Sequence, residues 1–534
     1  MTVKLTDFTP KVDLTEEMGT GPVRSRRPEY VDLLPPCNDA CPAGEDIQAW
    51  LALAQAGRYR EAWEVLTADN PMPAACNRAE VDAPVSIHAV ERFLGDLAAL
   101  ERWPLKILAP PTGKRILVVG AGPSGLSAAY HLARLGHKVE IREAGPLPGG
   151  MMHFGIPAYR LPRAELMGGI ARIEAMGVTI VTDHRVTDLA AERDAGGFDA
   201  VFLAIGAGIG KRVDIPAQDA ARVLDAVNLL HDTSAGSPPV LGRRVVVYGG
   251  GNTAMDAART ARRLGAAETL IVYRRDRAHM PAQAFEADEA LEEGIKIKWL
   301  STIREINRSD LTVERMELDA NGRPQPTGDF ETLQADAVVL ALGQETDARF
   351  LRQMQGVKFT ADGAVTVGTD MMTGEAGVFA GGDMVPGPQS VTRSVGQGKL
   401  AARHIDAWLR GERYVAPNKP AIVDFSMLHL PVFADADSQR PGMLAATERL
   451  TGFEEIVTSL SERDARYEAK RCYSCGNCYE CDNCYAACPE QAIVKLGPGR
   501  GYSIDYDKCT GCAACFEQCP CHAIAMTPEA VPHV

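Results

Sequence analysis

The stretch from Arg115 to Glu143 constrains the fold more than any other part of the chain. Its apolar run, Ile116 to Val119, predicts a buried strand, and glycines follow at once in G-x-G-x-x-G spacing. The Ala- and Leu-rich segment after them predicts a helix from near Pro123 to Leu135 that stops at Gly136, and a second strand follows. Because such a turn lets backbone N–H groups and a helix N-terminus approach a pyrophosphate, the stretch predicts a dinucleotide-binding fold.

Residues of this stretch and of a later strand are candidate ligands of a first cofactor. Glu143 can accept hydrogen bonds from a ribose, and the strand that ends in Gly382-Asp383 presents an aspartate suited to ribityl hydroxyls. A glycine turn without ligand, and an aspartate that merely caps a helix, are the alternatives. The paired glycines near Gly150 indicate a backbone close to a flat group. The candidates are Gly120, Gly122, Pro123, Ser124, Gly125, Glu143, Gly150, Met151, Gly382 and Asp383.

The pattern of strand, glycine turn and helix restarts at Arg243, which predicts a second dinucleotide-binding domain inserted in the first. Its next strand ends in Arg274-Arg275 instead of an acid. Arginine pairs with a 2′-phosphate, so NADP(H) is favoured over NAD(H), with solvated or ion-paired arginines as the alternative and Arg277 as a weaker third candidate. The candidates are Gly249, Gly251, Asn252, Thr253, Ala254, Arg274, Arg275 and, after a later strand, Gly343.

The fourteen cysteines are unevenly distributed along the chain. Three lie early, eleven lie between Cys472 and Cys521, and none lies between these groups. In a reducing cytosol such clustering indicates metal or redox centres rather than disulfides. The central region therefore cannot hold the redox-active Cys-x-x-Cys of a disulfide reductase.

The C-terminal cysteines form two C-x-x-C-x-x-C-x-x-x-C-P runs, each typical of a two-cluster ferredoxin. In such runs the fourth cysteine ligates the other cluster, and zinc is the competing interpretation. The first predicted [4Fe-4S] cluster has the ligands Cys478, Cys481, Cys484 and Cys519, and the second has Cys509, Cys512, Cys515 and Cys488. Because two clusters are complete without them, Cys472, Cys475 and Cys521 are expected not to be ligands.

Length and charge restrict the remaining possibilities. A chain of 534 residues predicts several domains, and a net charge of −14 argues against nucleic acid or an anionic membrane as a partner. No apolar run is long enough to span a membrane and the first residues lack a signal-peptide core, so a cytoplasmic location is expected. The predicted domains are 1–110 (arm and helical domain), 111–240 and 344–410 (first dinucleotide domain), 241–343 (inserted domain), 411–470 (linker or partner segment) and 471–534 (ferredoxin).

With these motifs, the chain resembles the small subunit of glutamate synthase and its relatives, which include the flavin half of dihydropyrimidine dehydrogenase. The most specific residues are the first glycine motif, FGIP at 154–157 with YRLP at 159–162, GGGNTAMD at 249–256, YRR at 273–275 with MPA at 280–282, and AGGD at 380–383. The resemblance implies an α/β fold with two Rossmann-like domains, an N-terminal helical domain and a C-terminal α+β ferredoxin-like domain. It also implies that the first Rossmann unit holds FAD and the inserted one NADP(H), with Arg160, Ser390 and Val391 near the flavin.

The chain departs from these relatives in the helical domain. They carry clusters there, bound by a Cys-x-x-x-Cys-Pro and a later cysteine-rich loop, and this chain has only Cys37, Cys41 and Cys76. Three cysteines cannot complete a [4Fe-4S] cluster by thiolates alone, so a further N-terminal cluster is an open possibility.

The resulting hypothesis is an NAD(P)H-dependent flavin and iron–sulfur oxidoreductase subunit, in which no side chain needs to act as acid or base. Its expected partner is a ferredoxin or the catalytic subunits of a larger redox complex, such as a 2-oxoacid oxidoreductase, in a hetero-oligomer. The alternatives are a glutamate synthase small subunit proper and a non-catalytic iron–sulfur adaptor, while a flavin monooxygenase would leave the cysteines without use.

Overall fold

A computed structural model describes residues 24–68, 83–211, 215–218, 222–430 and 433–529. The chain divides into two compact units. The cysteine unit is drawn from residues 1–103, 415–442 and 459–534, and the dinucleotide unit from residues 104–414 and 443–458.

Helices occur throughout the described residues. None of them combines the length and apolar character that a membrane crossing requires. They are α1 (Pro36–Ala40), α2 (Ile47–Gln55), α3 (Tyr59–Leu66), α4 (Ile87–Leu100), α5 (Pro123–Arg134), α6 (Met151–Phe154), α7 (Arg163–Glu174), α8 (Leu189–Gly196), α9 (Ala226–Ser234), α10 (Asn252–Arg263), α11 (Ala284–Glu292), α12 (Val391–Leu409), α13 (Ala446–Arg449), α14 (Glu462–Lys470), α15 (Asn483–Ala487) and α16 (Ala514–Glu517).

The strands of the described residues form two five-stranded sheets, one four-stranded sheet and three two-stranded ribbons. They are β1 (Arg26–Tyr30), β2 (Arg115–Val119), β3 (Lys138–Arg142), β4 (Thr179–Val181), β5 (Ala200–Leu203), β6 (Ile209–Gly210), β7 (Ala217–Gln218), β8 (Arg222–Asp225), β9 (Arg244–Tyr248), β10 (Glu268–Val272), β11 (Lys296–Lys298), β12 (Ser301–Asn307), β13 (Asp310–Leu318), β14 (Pro324–Gln334), β15 (Ala337–Leu340), β16 (Gln344–Glu345), β17 (Val378–Ala380), β18 (Ile493–Lys495), β19 (Tyr502–Ile504) and β20 (Ile524–Pro528).

The first Rossmann-like domain is built on a parallel sheet with strand order β17-β5-β2-β3-β4. Alternate residues of β2 face opposite sides of this sheet. Ile116 and Val118 pack against residues of α5 and α12, whereas Leu117 and Val119 belong to a second apolar cluster on the other face. Because both faces are covered, β2 is apolar along its length, as parallel strands usually are.

The second Rossmann-like domain has the parallel order β11-β10-β9-β15-β8. Val245 and Val247 pack with residues of α10, and Val246 and Tyr248 pack with residues of β12 and β13 in the four-stranded sheet. Strand β8 precedes Arg243, where the glycine pattern of this domain begins, so the domain also takes a strand from the preceding segment. The predicted fold class, with one Rossmann-like domain inserted in another, is confirmed.

The cysteine unit joins segments that are far apart in the chain. Helix α14, from the segment expected to be a linker, packs against α2 and α4 of the helical domain. Strand β1, from the segment expected to be an extended arm, pairs antiparallel with β20. The guanidinium of Arg24 is buried beside β1, where it pairs with Glu529 and donates to the carbonyl oxygens of Tyr506 and Cys509.

The close contact of α5 and α12 yields a test of this fold. A Cβ atom added to Gly398 of α12 would lie 2.3 Å from the carbonyl oxygen of Ser124 in α5. We expect Gly398→Ala to separate the two helices and to lower the free energy of unfolding by about 1–3 kcal/mol in chemical denaturation.

The matched control is Gly168→Ala, in the exposed face of α7, where an added Cβ meets no atom within 4 Å. This change should be neutral or should stabilise the chain by about 0.5–1 kcal/mol, because alanine is the better helix former. Equal effects of the two substitutions would contradict the role of the helix contact.

Candidate functional site

The first glycine turn has the geometry that the sequence predicts. Gly120, directly after β2, has φ +102°, and a Cβ there would lie 2.4 Å from the carbonyl oxygen of Ala204. Gly122 caps the N-terminus of α5, with Pro123 at the first helical position. The N–H groups of this helix end therefore remain available to a ligand at the turn.

Glu143 and the second pair of glycines lie at the same turn. The Glu143 carboxylate accepts hydrogen bonds from the backbone N–H groups of Ala121 and Gly145, both at 2.8 Å. A Cβ on Gly150 would come within 2.9 Å of the Cα atom of Gly122, and α6 starts at the next residue, Met151. The structure thus brings these candidates together around one backbone cradle.

Asp383 and Gly382 approach this cradle from β17. An added Cβ on Gly382 would lie 3.0 Å from the Cβ of Ser124. Burial raises the pKa of the Asp383 carboxyl, and the hydroxyl of Ser394, which donates to it at 3.1 Å, opposes that rise. The Ser124 hydroxyl is buried and has no hydrogen-bond partner among the described residues. An unpartnered hydroxyl at a helix N-terminus fits a bound phosphate-containing cofactor.

Ser390 and Val391 lie at the start of α12. The Ser390 hydroxyl caps the helix by accepting a hydrogen bond from the N–H of Arg393 at 3.2 Å, and the Val391 side chain is exposed. Gln397, which the sequence did not single out, fixes the turn before this helix because its side-chain oxygen accepts from the N–H of Gly382 at 2.7 Å.

Arg160 lies in a buried ion-pair cluster. Its guanidinium donates to both carboxylate oxygens of Asp256 at 2.8 Å and to Glu286 at 2.5 Å. Both acids belong to the inserted domain, on α10 and α11. This cluster links the two Rossmann-like domains, and a position of Arg160 near the flavin stays a prediction.

Further charges extend this cluster, and the sequence did not indicate them. Arg259 of α10 bonds to Glu293 and Glu289 at 2.7 Å, and Arg263 bonds to Glu293 at 2.7 Å. The guanidinium of Arg263 also lies 3.8 Å from the ring centre of Tyr159, which is fully buried. Arg259 and Arg263 are four residues apart, so they lie on one face of α10. This spacing indicates ion pairs with acids of another helix only when the packing of the two helices is already known.

The second glycine turn carries the nicotinamide candidates. Gly251 caps α10, the Asn252 side chain accepts from the N–H of Gln283 at 3.0 Å, and Thr253 and Ala254 form the next residues of the helix. Gly249 precedes this turn, and an added Cβ there would lie 2.1 Å from the carbonyl oxygen of Ala341.

Arg274 and Arg275 follow β10, which pairs with β9, the strand that leads into the second glycine turn. Arg274 is exposed and Arg275 half-buried. Burial raises the pKa of Tyr273, and the charges of Arg275 and Arg274 act against that rise. Arg277, the weaker candidate, forms an ion pair with Asp288. Gly343 lies after β15, and its carbonyl oxygen accepts a hydrogen bond from the N–H of Lys211 at 2.9 Å.

The cysteines predicted to bind the first cluster interact with one another. Burial raises the pKa of Cys478 to about 11, and the neighbouring thiols of Cys484, Cys519 and Cys481 add to the rise. Cys521 lies next to this group, because its Sγ atom is 3.9 Å from that of Cys519.

The cysteines predicted to bind the second cluster share a cavity. Cys488, Cys509, Cys512 and Cys515 all line it. Burial raises the pKa of Cys515 to about 12, with further contributions from nearby thiols that include Cys484 of the first group. The two groups of cysteines are therefore adjacent.

No three His, Cys, Asp or Glu side chains of the described ranges converge closely enough to hold a single metal ion.

Hydrogen-bond donors surround the cysteine sulfurs. The backbone N–H groups of Ala492 and Ala523 donate to Cys488 and Cys519 at 3.2 Å. The hydroxyl of Tyr30 forms a hydrogen bond with Cys484 at 3.2 Å. Sequence reasoning missed Tyr30, because nothing local to it indicates a partner 454 positions away.

The N-terminal cysteine candidates are only partly described. Cys37 on α1 and Cys41 at its C-terminal end are both buried. Cys76 lies outside the described residues. A cluster bound by these cysteines stays a prediction.

Comparison with known families adds three matches. Residues 114–398 match the family described as pyridine nucleotide-disulphide oxidoreductase. Residues 477–523 match the 4Fe-4S dicluster domain, and residues 33–103 match the dihydropyrimidine dehydrogenase domain II, 4Fe-4S cluster.

Similar proteins are redox subunits by name. The NADP(+)-dependent formate dehydrogenase subunit beta of Moorella thermoacetica is 34% identical, with 82% of this chain and 70% of that protein covered. The NADPH-Fe(3+) oxidoreductase subunit beta of Geobacter sulfurreducens is 32% identical, with 82% of this chain and 75% of that protein covered. The glutamate synthase [NADPH] small chain of Escherichia coli is 31% identical, with 70% of this chain and 89% of that protein covered.

The ion-pair cluster around Arg160 is expected to stabilise the fold. Arg160→Ala leaves the buried carboxyls of Asp256 and Glu286 without their cation, so we expect a loss of about 3–5 kcal/mol in the free energy of unfolding at neutral pH. Burial raises the pKa of both carboxyls, so protonation below their folded-state pKa values should reduce this loss. Urea denaturation at several pH values measures the effect.

The matched control is Arg349→Ala, which removes an exposed ion pair with Asp347 and should cost no more than about 1 kcal/mol at any pH. A loss in Arg160→Ala that grows on acidification would contradict the role of the buried carboxylates.

Proposed function

Because the chain belongs to the pyridine nucleotide-disulphide oxidoreductase family, we propose that it passes electrons between NADP(H) and a partner protein through FAD and iron–sulfur clusters. The predicted oxidoreductase class and the predicted resemblance to glutamate synthase small subunits are confirmed. The oxidoreductase and dicluster domains support bound FAD, a nicotinamide cofactor and 4Fe-4S clusters.

One observation carries the proposal. The matched oxidoreductase domain contains no cysteine, so it cannot pass electrons to an active-site disulfide, while the tail groups its cysteines in two adjacent sets. Electrons therefore leave the flavin for iron–sulfur centres. When bound, FAD exchanges a hydride with nicotinamide and single electrons with clusters.

The dinucleotide unit supplies binding and orientation. Gly120, Gly122 and the N-terminus of α5 would hold the FAD pyrophosphate, and Glu143 would accept from the ribose. Asp383 would bind the ribityl chain, and the start of α12 at Ser390 would face the flavin ring. In the inserted domain the N-terminus of α10 would hold the NADP(H) pyrophosphate and Arg274 and Arg275 its 2′-phosphate.

The cysteine unit would hold at least two [4Fe-4S] clusters. Cys478, Cys481, Cys484 and Cys519 are the proposed ligands of one cluster. The proposed ligands of the other are Cys488, Cys509, Cys512 and Cys515, which line one cavity. Thiolate ligands of this kind persist in a reducing compartment, which supports a cytoplasmic location.

The partner is proposed to be a separate redox subunit in a hetero-oligomer. Two relatives are beta subunits by name, and the formate dehydrogenase and NADPH-Fe(3+) relatives cover 82% of this chain against 70% for the glutamate synthase small chain. This difference favours an enzyme complex other than glutamate synthase, such as a formate or 2-oxoacid oxidoreductase.

The arginines after β10 should set the choice of nicotinamide. Loss of one charge-assisted contact to a 2′-phosphate costs about 1.5–3 kcal/mol. Arg274→Ala should therefore raise the KM for NADPH by about 10- to 150-fold and leave the KM for NADH unchanged. Steady-state kinetics with both nucleotides measure this. Arg277→Ala is the control, since its guanidinium already pairs with Asp288, and equal losses for NADH and NADPH would contradict the assignment.

The function itself is tested on the full chain after anaerobic purification and reconstitution. We expect a yellow protein that contains acid-labile sulfide and oxidises NADPH with an artificial acceptor. A Cys478→Ala/Cys512→Ala variant should keep its FAD and its reduction by NADPH but lose electron transfer to the partner complex.

Three outcomes distinguish the alternatives. A colourless chain without sulfide would overturn the proposal. Iron–sulfur clusters without NADPH oxidation would indicate an adaptor, and glutamine-dependent activity with a co-expressed large subunit would indicate a glutamate synthase small subunit.

A further inference from the structure

Cys472 and Cys475 are the unexplained cysteines of the tail. The matched dicluster domain begins at residue 477, after both of them. The two proposed clusters of the tail already have four cysteine ligands each, so neither of them needs Cys472 or Cys475.

The helical domain, in contrast, has too few cysteines for the cluster that its family is named for. Its matched family is named for a 4Fe-4S cluster, and the matched residues 33–103 contain three cysteines, one fewer than a cubane needs if only thiolates bind it. At least one ligand must then come from another part of the chain.

The backbone around Cys475 lies against the segment that leads into Cys37. The N–H of Leu33 donates to the carbonyl oxygen of Gly476 at 3.1 Å, and the side-chain amide of Asn477 donates to the carbonyl oxygen of Leu33 at 3.2 Å. An added Cβ on Gly476 would lie 2.6 Å from the Cβ of Leu33. The two chain segments are in direct contact, four residues before Cys37.

Helix α14 places Cys472 within the helical domain. The buried guanidinium of Arg471 donates to the carbonyl oxygens of Ala83 and Pro84 at 2.6 and 3.2 Å and pairs with Glu468 at 2.6 Å. Glu468 in turn accepts from the N–H of Ser86 at 2.7 Å. Cys472 directly follows this anchored helix end, so it belongs to the helical domain in space although it belongs to the tail in sequence.

The turn itself resembles a cluster-binding loop. Cys37 and Cys475 are buried, and the N–H of Ser474 points at the sulfur of Cys472 at 3.4 Å. Ser474 is fully buried, and its hydroxyl has no hydrogen-bond partner among the described residues. Sulfur atoms of a bound cluster would accept from such donors.

We propose that Cys472 and Cys475 ligate a third iron–sulfur cluster, of the [4Fe-4S] type, together with Cys37. Another cysteine of the helical domain supplies the fourth ligand. The proposal revises the expectation that Cys472 and Cys475 are not ligands, and leaves that expectation in place for Cys521. It rests on the proposed iron–sulfur chemistry of the chain, but not on its nicotinamide or its partner.

The test counts iron and acid-labile sulfide in the anaerobically reconstituted full chain, with FAD content and EPR spectra of the reduced protein. Three cubanes give about twelve irons per chain, so Cys472→Ala/Cys475→Ala should contain about eight and keep its FAD. Cys37→Ala should lose the same four irons, and the triple variant should lose no more. Cys521→Ala is the control and should retain about twelve.

Variants of the tail separate this proposal from the proposed function. Cys478→Ala/Cys512→Ala should retain about four irons, those of the third cluster. A wild-type chain with about eight irons, or a Cys472→Ala/Cys475→Ala variant with as many as the wild type, would overturn the third cluster alone. A wild-type chain without iron or sulfide would overturn both proposals. Comparison of Cys41→Ala with Cys76→Ala identifies the fourth ligand as the residue whose loss removes the same four irons.

Discussion

The dinucleotide unit depends on the close contact between α5 and α12. The absence of a side chain at Gly398 lets the helices touch, and the hydroxyl of Ser127 donates across the contact to the carbonyl oxygen of Val395 at 2.7 Å. Helix α5 begins at the first glycine turn, and α12 begins shortly after Asp383. One packing contact therefore sets the distance between the groups proposed for the pyrophosphate and for the ribityl chain.

The first Rossmann-like domain was largely predictable from local sequence. The helix expected from Pro123 to Leu135 is observed over Pro123–Arg134, and the flanking strands lie where the apolar runs are. Such elements are predictable because strand burial, glycine turns and helix ends all leave signals within a few residues. The cysteine spacing is equally local, and it predicted which thiols are neighbours in the cavity of the second group.

Other features depend on partners that sequence spacing does not specify. Arg160 meets Asp256, which is 96 positions away, and nothing in the YRLP motif indicates an acid as its neighbour. Arg24 and Tyr30 belong to a polar arm by composition, yet one is buried against Glu529 and the other bonds to Cys484. Buried charges need specific partners, but the identity of a partner is fixed only by tertiary packing.

The same limit applies to the cysteines. Counted along the chain, Cys472 and Cys475 extend the spacing of the ferredoxin runs, and two complete clusters do not need them. The contacts of Leu33 with Gly476 and of Arg471 with Ala83 place these two cysteines beside the helical domain. A domain assembled from distant segments can thus share its metal ligands between parts of the sequence that motif reading treats separately.

The pairing of β1 with β20 has a consequence for biosynthesis. These strands are about 500 positions apart, so at a translation rate of roughly 5–20 residues per second β1 waits about 25–100 s for its partner to be made. Throughout that interval the edge of β1 is unpaired, and the flavin-binding region between the strands can already have folded. Because β20 follows Cys521 in the chain, β1 can pair with it only after all fourteen cysteines have been synthesised.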